Sequence, residues 1–122
     1  MDESRGLFLV LDGLLRDKNG GGFRLRQGLE VALKDFRSLG YRIIGIVKND
    51  IGDLEGFDFD AVVVTTHESP SWEFPPMAWS MARRYSLNVK RSLLCSPNIA
   101  HEGWARDAGL RRFETPAILF GL

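Results

Sequence analysis

An aspartate that directly follows an apolar run is the residue whose position first suggests a chemical site in this sequence. Residues 7–11 are consecutive apolar residues, and Asp12 and Gly13 come directly after them. The run is too short for a free-standing helix and is typical of a strand buried on both faces. Because ligands and catalytic groups collect beyond the carboxyl ends of parallel strands, Asp12 lies where a site is expected. An Asp-Gly pair is also typical of an ordinary turn.

Two other segments match known chemical motifs only in part. Residues 20–22 are three glycines, but they lack the spaced glycines and the Lys-Ser or Lys-Thr pair of a phosphate-binding loop. His67 and Glu68 follow another apolar run, yet no second histidine stands at the spacing that metal ligands need. We therefore interpret both segments as ordinary loops.

The elements that must position Asp12 alternate along the chain. Apolar runs predict strands at residues 7–11, 41–47, 61–64 and 91–95, and in the tail at 110–113 with 117–120, which Thr115 and Pro116 separate. Helical spacing predicts helices at residues 27–39, 75–87 and 96–109, the last with Ile99, Trp104, Ala105 and Ala108 facing inward. Residues 16–26 predict a loop or short hairpin over the sheet end. The alternation predicts a doubly wound α/β sandwich of three layers, Rossmann-like, with a mostly parallel five-stranded sheet. Its first strand is central, flanked by the second and by the third or fourth.

Composition limits the classes of partner. The 122 residues and 44% hydrophobic content suit one domain over residues 1–122. Sixteen basic and sixteen acidic residues balance, so we expect neither nucleic acid nor a membrane surface as partner. A single cysteine, Cys95, favours a reducing compartment and a buried thiol. No segment is typical of a leader or a membrane span, and we expect a soluble cytoplasmic protein.

The order of these segments resembles the haloacid dehalogenase (HAD) superfamily, in its histidinol-phosphate and heptose-bisphosphate phosphatase branch and without a cap domain. The resemblance covers nearly the whole chain. Residues 12–15, 27–43 and 105–109 carry it, because they are similar to the family patterns "DxDGTL", "pGv.eaL..L...Gy.l" and "A..AG". It implies a HAD-like fold, and a reaction in which an aspartate takes a phosphoryl group that water then removes.

The same resemblance implies that the catalytic positions are degenerate. Val10 stands where the family has its nucleophilic aspartate, while Asp12 keeps the position of the acid and base. Lys48 replaces the phosphate-holding Thr or Ser, with the following Asn49 kept, and Trp72 replaces the lysine of the third motif. Shifting the register so that Asp12 becomes the nucleophile leaves no acid and base behind it, because Gly13 and Leu14 follow.

The missing carboxylates also predict that no magnesium ion and no other cofactor binds. Both side-chain ligands of the family's metal are absent, since Val10 is apolar and residues 95–101 contain no acid. We therefore expect a pseudophosphatase, a binding or scaffolding module whose former crevice consists of Val10, Lys48, Asn49 and Trp72. Its occupant is a protein partner, a second copy or a small ligand. The alternatives are an active HAD-type phosphohydrolase that uses Asp12, and a receiver-like signalling domain.

Overall fold

The structure is a computed structural model that describes residues 4–17, 21–48, 54–65 and 73–122. Its strands are β1 (Arg5–Val10), β2 (Leu15–Asp17), β3 (Phe23–Leu25), β4 (Tyr41–Val47), β5 (Leu54–Glu55), β6 (Ala61–Val64), β7 (Leu93–Cys95) and β8 (Arg112–Glu114). Its helices are α1 (Leu29–Ser38), α2 (Phe74–Tyr85), α3 (Glu102–Ala108) and α4 (Pro116–Phe120).

The main sheet has the order β6-β4-β1-β7-β8, and all of its strand pairs are parallel. The central strand β1 pairs with β4 along its whole length, from Arg5 opposite Tyr41 to Val10 opposite Ile46. On its other side, Leu9 lies opposite Cys95 of β7. The predicted doubly wound α/β fold is therefore confirmed. The central strand β1 lies between β4 and β7, which are the second and the fourth of the strands predicted from the sequence.

Alternating side chains of β1 supply both layers of the core. Phe8 and Val10 belong to the cluster that includes Phe74 of α2 and residues of α3. Leu7 and Leu9 belong to the opposite cluster, which α1, α4 and the small sheet complete. Residues 7–11 are between 0% and 6% exposed, as the apolar run predicts. A strand buried on both faces leaves polar chemistry only at its ends.

The segment after β1 forms a second, small sheet. β2 and β3 pair antiparallel as the predicted short hairpin, and β5 adds to β3 in parallel. Leu14 and Leu25 are both 2% exposed and join the α1 side of the core. The contribution of β5 was not predicted, because two residues are too short for a periodic pattern.

The prediction of a strand at residues 117–120 is wrong, because these residues form α4. Pro116 occupies the first helical turn, where its missing N–H leaves no lost hydrogen bond. The side chains alternate with helical spacing: Ile118 is 74% exposed, while Leu119 and Phe120 pack against the core. The fifth strand is β8 alone.

Ile99 does not face inward as predicted. The Asn98 side chain accepts a hydrogen bond from the Ala100 N–H and begins a 3-10 turn, so α3 begins only at Glu102. Ile99 therefore precedes the buried face of the helix and is 70% exposed. Ala105 and Ala108 are 3% exposed, and both are inward positions as predicted.

Asp60 joins α1 to the sheet. Its carboxylate accepts hydrogen bonds from the Ile43 N–H at 2.7 Å, from Arg37 at 3.0 Å and from Arg42 at 3.2 Å. Burial of the carboxyl acts to raise its pKa, but these donors and the positive charge of Arg37 outweigh burial and hold the pKa below the usual value. The charged form is thus the one that stabilises the fold.

Truncating the central strand should destabilise the protein strongly. We expect Leu9→Ala to lower the free energy of unfolding by about 2–5 kcal/mol, because Leu9 is fully buried and a cavity is left behind. Chemical denaturation measures the change. The matched control is Val31→Ala, since Val31 is 59% exposed on α1 and its truncation should change stability by about 0.5 kcal/mol or less. Equal effects would show that β1 is not the core strand.

Asp60 should make stability depend on acid pH. A carboxyl whose pKa is lowered by folding stabilises the native state above its unfolded pKa, near 3.8, and loses this contribution as the pH falls further. We expect Asp60→Asn to cost about 1–3 kcal/mol at neutral pH, with the difference from wild type shrinking as the pH falls below that value. Denaturant titrations over a pH series measure both, with the exposed Asp107→Asn as control. A difference that is constant with pH would contradict the assignment.

Candidate functional site

A pocket of about 390 Å³ opens at the carboxyl ends of the parallel strands. It lies beside the end of β1, where the chain first builds the sheet toward β4 and β6 and later continues on the other side with β7. Such a reversal of strand order is the usual ligand site of open α/β sheets. The pocket is lined by Val10, Asp12, Ile46, Val47, Lys48, Thr65, Asn98, Ala100, His101 and Trp104.

The ends of three strands position the polar lining. The Leu11 N–H donates to the Ile46 carbonyl at 2.9 Å, and the Thr65 N–H donates to the Val47 carbonyl at 2.8 Å, so the ladder continues to the rim. After Asp12 the chain turns through Gly13, whose φ of 76° lies in the left-handed region that favours glycine. The turn leaves the Asp12 side chain exposed at the mouth of the pocket.

Three of the five residues predicted for this site line the pocket. Val10 is 6% exposed, and its isopropyl group forms part of the pocket wall. Asp12 and Lys48 are exposed at the rim. Asn49 and Trp72 lie outside the described residues. The structure thus brings Val10, Asp12 and Lys48 together in one pocket at the strand ends.

A hydrogen-bonded loop after β7 closes one side. The Nδ1 atom of His101 lies 2.7 Å from the buried Ser96 hydroxyl, which also accepts the Asn98 N–H at 3.1 Å. The Asn98 Oδ1 accepts a hydrogen bond from the Ala100 N–H. The Nδ2 atom of the same Asn98 amide lies 3.4 Å from His101 Nε2. These bonds hold the imidazole at the pocket.

The imidazole is also the outermost ring of an aromatic stack. The rings of His101 and Trp104 are nearly parallel with centroids 3.6 Å apart, and the Trp104 ring stacks on Phe74 with centroids 5.7 Å apart. Phe74 in turn meets Phe8 of β1 edge to face at 5.7 Å. The stack anchors this wall of the pocket to the central strand.

The environment of His101 favours its neutral form. Partial burial is the largest cause and lowers the pKa of the imidazole below its ordinary value. The negative charge of Asp12 acts to raise the pKa, and the positive charge of Lys48 acts to lower it. The pocket thus combines a neutral imidazole, one carboxylate and one ammonium group with an aromatic wall.

Neighbouring nucleophiles are unsuited to attack. Burial, with a smaller effect of Glu114, raises the pKa of the Cys95 thiol to about 12, so the thiol stays protonated. Ser96 is 0% exposed and its hydroxyl lies in the hydrogen-bonded loop. Among the described lining residues, Asp12 therefore offers a carboxylate as nucleophile or as acid and base, and His101 offers an imidazole as base.

The donor set does not fit the magnesium ion that a HAD-like reaction implies. Of the described residues that line the pocket, Asp12 alone carries a carboxylate, and Lys48 adds a positive charge. No group of three or more His, Cys, Asp or Glu side chains able to hold a metal exists among the described residues. Since Mg²⁺ is held through carboxylate oxygens, a single carboxylate makes a weak site.

A smaller apolar pocket of about 210 Å³ adjoins the first one. The two share Ile46, Thr65 and Trp104, and the second extends toward Val63 and Met77. The site therefore has a polar part at the strand ends and an apolar part beside β6 and α2.

The sequence did not single out Asn98 and His101 as site residues. The signal that was present is their position, since the polar residues Ser96, Asn98 and His101 come shortly after an apolar strand. Isolated polar residues after a strand are also typical of loops, so the hydrogen bonds among them, visible only in the fold, mark the site.

Opposite charges should move the titration of His101 in opposite directions. We expect an imidazole pKa below 6.5, raised in Lys48→Met and lowered further in Asp12→Asn. Proton NMR titration of the imidazole measures the pKa, and His101→Gln assigns the resonance. A wild-type pKa above 6.5, or shifts of the same sign in both variants, would contradict the geometry.

Comparison with known proteins finds a similar fold and assigns no activity. No family model matches the sequence, and no curated protein matches it. The fold is similar to the crystal structure of an uncharacterized protein from Corynebacterium glutamicum, with a TM-score of 0.59 and 15% identity. The match covers 97% of this chain and 96% of that one, so the likeness extends over the α/β domain. No helix among the described residues is long and apolar enough to cross a membrane.

Proposed function

We propose that this chain is a HAD-like pseudophosphatase, a binding module whose pocket at the strand ends holds a ligand without transferring a phosphoryl group. The observation that carries the proposal is the position of Val10. Its isopropyl group lines the pocket two residues before Asp12, where a HAD-like reaction needs the attacking carboxylate. Without that group the covalent route has no nucleophile.

Two features support the HAD-like part of the proposal. The strand order, with the central first strand and the second and third strands to one side, agrees with it. The retained Asp12 lies directly beyond the central strand and lines the pocket. A receiver-like domain is less well supported, because flavodoxin-like folds of that type place the third strand beside the first, whereas here β6 is at the edge.

The shape and chemistry of the pocket support binding. Its volume of about 390 Å³ lies within the range of about 300–1,000 Å³ that is usual for ligand sites. Asp12 and Lys48 can pair with opposite charges on a ligand, while Trp104 offers an apolar flank. We therefore expect a small polar molecule with an apolar portion, or a side chain of a protein partner or second copy.

The proposal also includes the class of partner and the cellular compartment. Equal numbers of acidic and basic residues support a partner other than nucleic acid or a membrane. The buried and protonated Cys95 is consistent with a reducing, cytoplasmic compartment. In the former crevice, Trp72 and Asn49 remain proposed contact residues together with Lys48.

A second candidate function is an active phosphohydrolase that uses Asp12 as nucleophile. The exposure of Asp12 at the end of the central strand favours it. The neutral His101 in the same pocket is a possible base for the attacking water. Against it, Asp12 lacks a second carboxylate among the described lining residues, so the negative charge of a phosphoryl group meets no metal site.

Incubation with magnesium and p-nitrophenyl phosphate separates the two candidates. We expect the wild-type protein to release no more p-nitrophenol than an Asp12→Asn variant of equal stability, because Val10 cannot accept the phosphoryl group. Mass spectrometry after incubation with acetyl phosphate should likewise detect no phosphorylated protein. Turnover or phosphorylation that is lost in Asp12→Asn would establish the active enzyme instead.

A further inference from the structure

Four arginines gather at the amino end of the main sheet, opposite to the pocket of Asp12. Arg5, Arg91, Arg111 and Arg112 line a cavity of about 190 Å³, with Tyr41 on one wall. No carboxylate of the described residues lines it. Because the whole chain has no net charge, this concentration of positive charge is local.

Strand register brings these residues together from distant parts of the chain. Arg5 is the first residue of β1 and lies opposite Tyr41, the first residue of β4. Arg112 begins β8 opposite Leu93 of β7, and the Arg111 N–H donates to the Ser92 carbonyl at 3.0 Å. Since parallel strands begin at the same edge, the paired backbone fixes where these side chains start.

Two of the four guanidinium groups have partners within the fold. The Arg5 Nη2 donates to the Leu39 carbonyl at 2.6 Å, at the end of α1, and its Cζ lies 4.8 Å from the centre of the Tyr41 ring. A cation there also compensates the negative end of the helix dipole. Arg112 lies 3.8 Å from Glu114, and both are partly exposed.

The guanidinium groups of Arg91 and Arg111 differ from those of Arg5 and Arg112 in their contacts. Within the part of the chain that the structure describes, no hydrogen bond or ion pair engages the guanidinium groups of Arg91 and Arg111. Both side chains are exposed at the mouth of the cavity. The position of Arg5 is therefore explained by its contact with the end of α1. The positive charges of Arg91 and Arg111 line the same cavity without such an explanation.

We propose that this cavity binds a compact phosphate oxyanion, orthophosphate or pyrophosphate. Guanidinium groups donate paired hydrogen bonds in a planar fork that matches phosphate oxygens. The volume of about 190 Å³ lies below the range of organic ligand sites, which favours an ion-sized occupant. The site is independent of the pocket at the other end of the sheet, because the two share no residue.

Calorimetric titration with orthophosphate and, separately, with pyrophosphate tests the site. We expect saturable binding at low ionic strength that weakens as sodium chloride is added, with pyrophosphate bound more tightly because it carries more charge. The double variant Arg91→Gln, Arg111→Gln should lose about tenfold or more in affinity. The matched control is Arg83→Gln, Arg106→Gln, which removes two exposed arginines elsewhere and should leave the affinity unchanged.

Three outcomes would overturn the proposal. The first is the absence of saturable binding of either anion by the wild-type protein. The second is an equal loss in the test and control variants, which would mean that the anions respond only to overall charge. The third is binding of a single-stranded oligonucleotide without binding of the small anions, which would assign the arginines to nucleic acid. Thermal melting of each variant verifies that the fold is retained.

Discussion

The burial of β1 on both faces and its pairing on both edges are the constraint on which the rest of the structure depends. Leu7 and Leu9 point into one layer of the core and Phe8 into the other, so the strand can lie only in the middle of a sandwich. Its pairing with β4 and β7 then fixes where every polar side chain beyond its ends can lie. A central strand of this kind separates stability from chemistry, because its interior is apolar and its two ends are free for other roles.

The same constraint explains how, under the proposed function, a pocket can exist at the strand ends without phosphoryl transfer. Val10 is both the last residue of β1 and a part of the pocket wall, so an apolar residue there satisfies the core as well as the strand end. The stack of His101, Trp104 and Phe74 holds the opposite wall by contacts that require no metal or substrate. The shape of the site is therefore maintained by packing, whereas its proposed loss of phosphoryl transfer concerns only a few side chains.

How far the sequence predicts the structure depends on how local each feature is. Apolar runs identify the strands β1, β4 and β6 of the main sheet. Asp12 follows from the rule that strand ends gather polar groups, whereas Lys48 was predicted from the resemblance to the HAD superfamily. The tail was misassigned because the apolar residues at 117–120 suit a strand or a helix, and packing against α1 decided between them. The arginine cavity was not predicted, since it depends on contacts between segments that lie far apart in the chain. His101 was not predicted because its hydrogen-bond partners, Ser96 and Asn98, are close in the sequence but are also typical of an ordinary loop.

The proposed function, a HAD-like pocket that does not transfer a phosphoryl group, is tested most directly by calorimetric titration with magnesium. A HAD-type reaction depends on a magnesium ion held beside the second aspartate, and the lining described here offers only Asp12 as a carboxylate. The account predicts that millimolar magnesium gives no saturable heat with the wild-type protein, and that the wild-type and Asp12→Asn titrations coincide. Saturable binding by the wild type that disappears in Asp12→Asn would contradict it and would identify Asp12 as part of a working metal site.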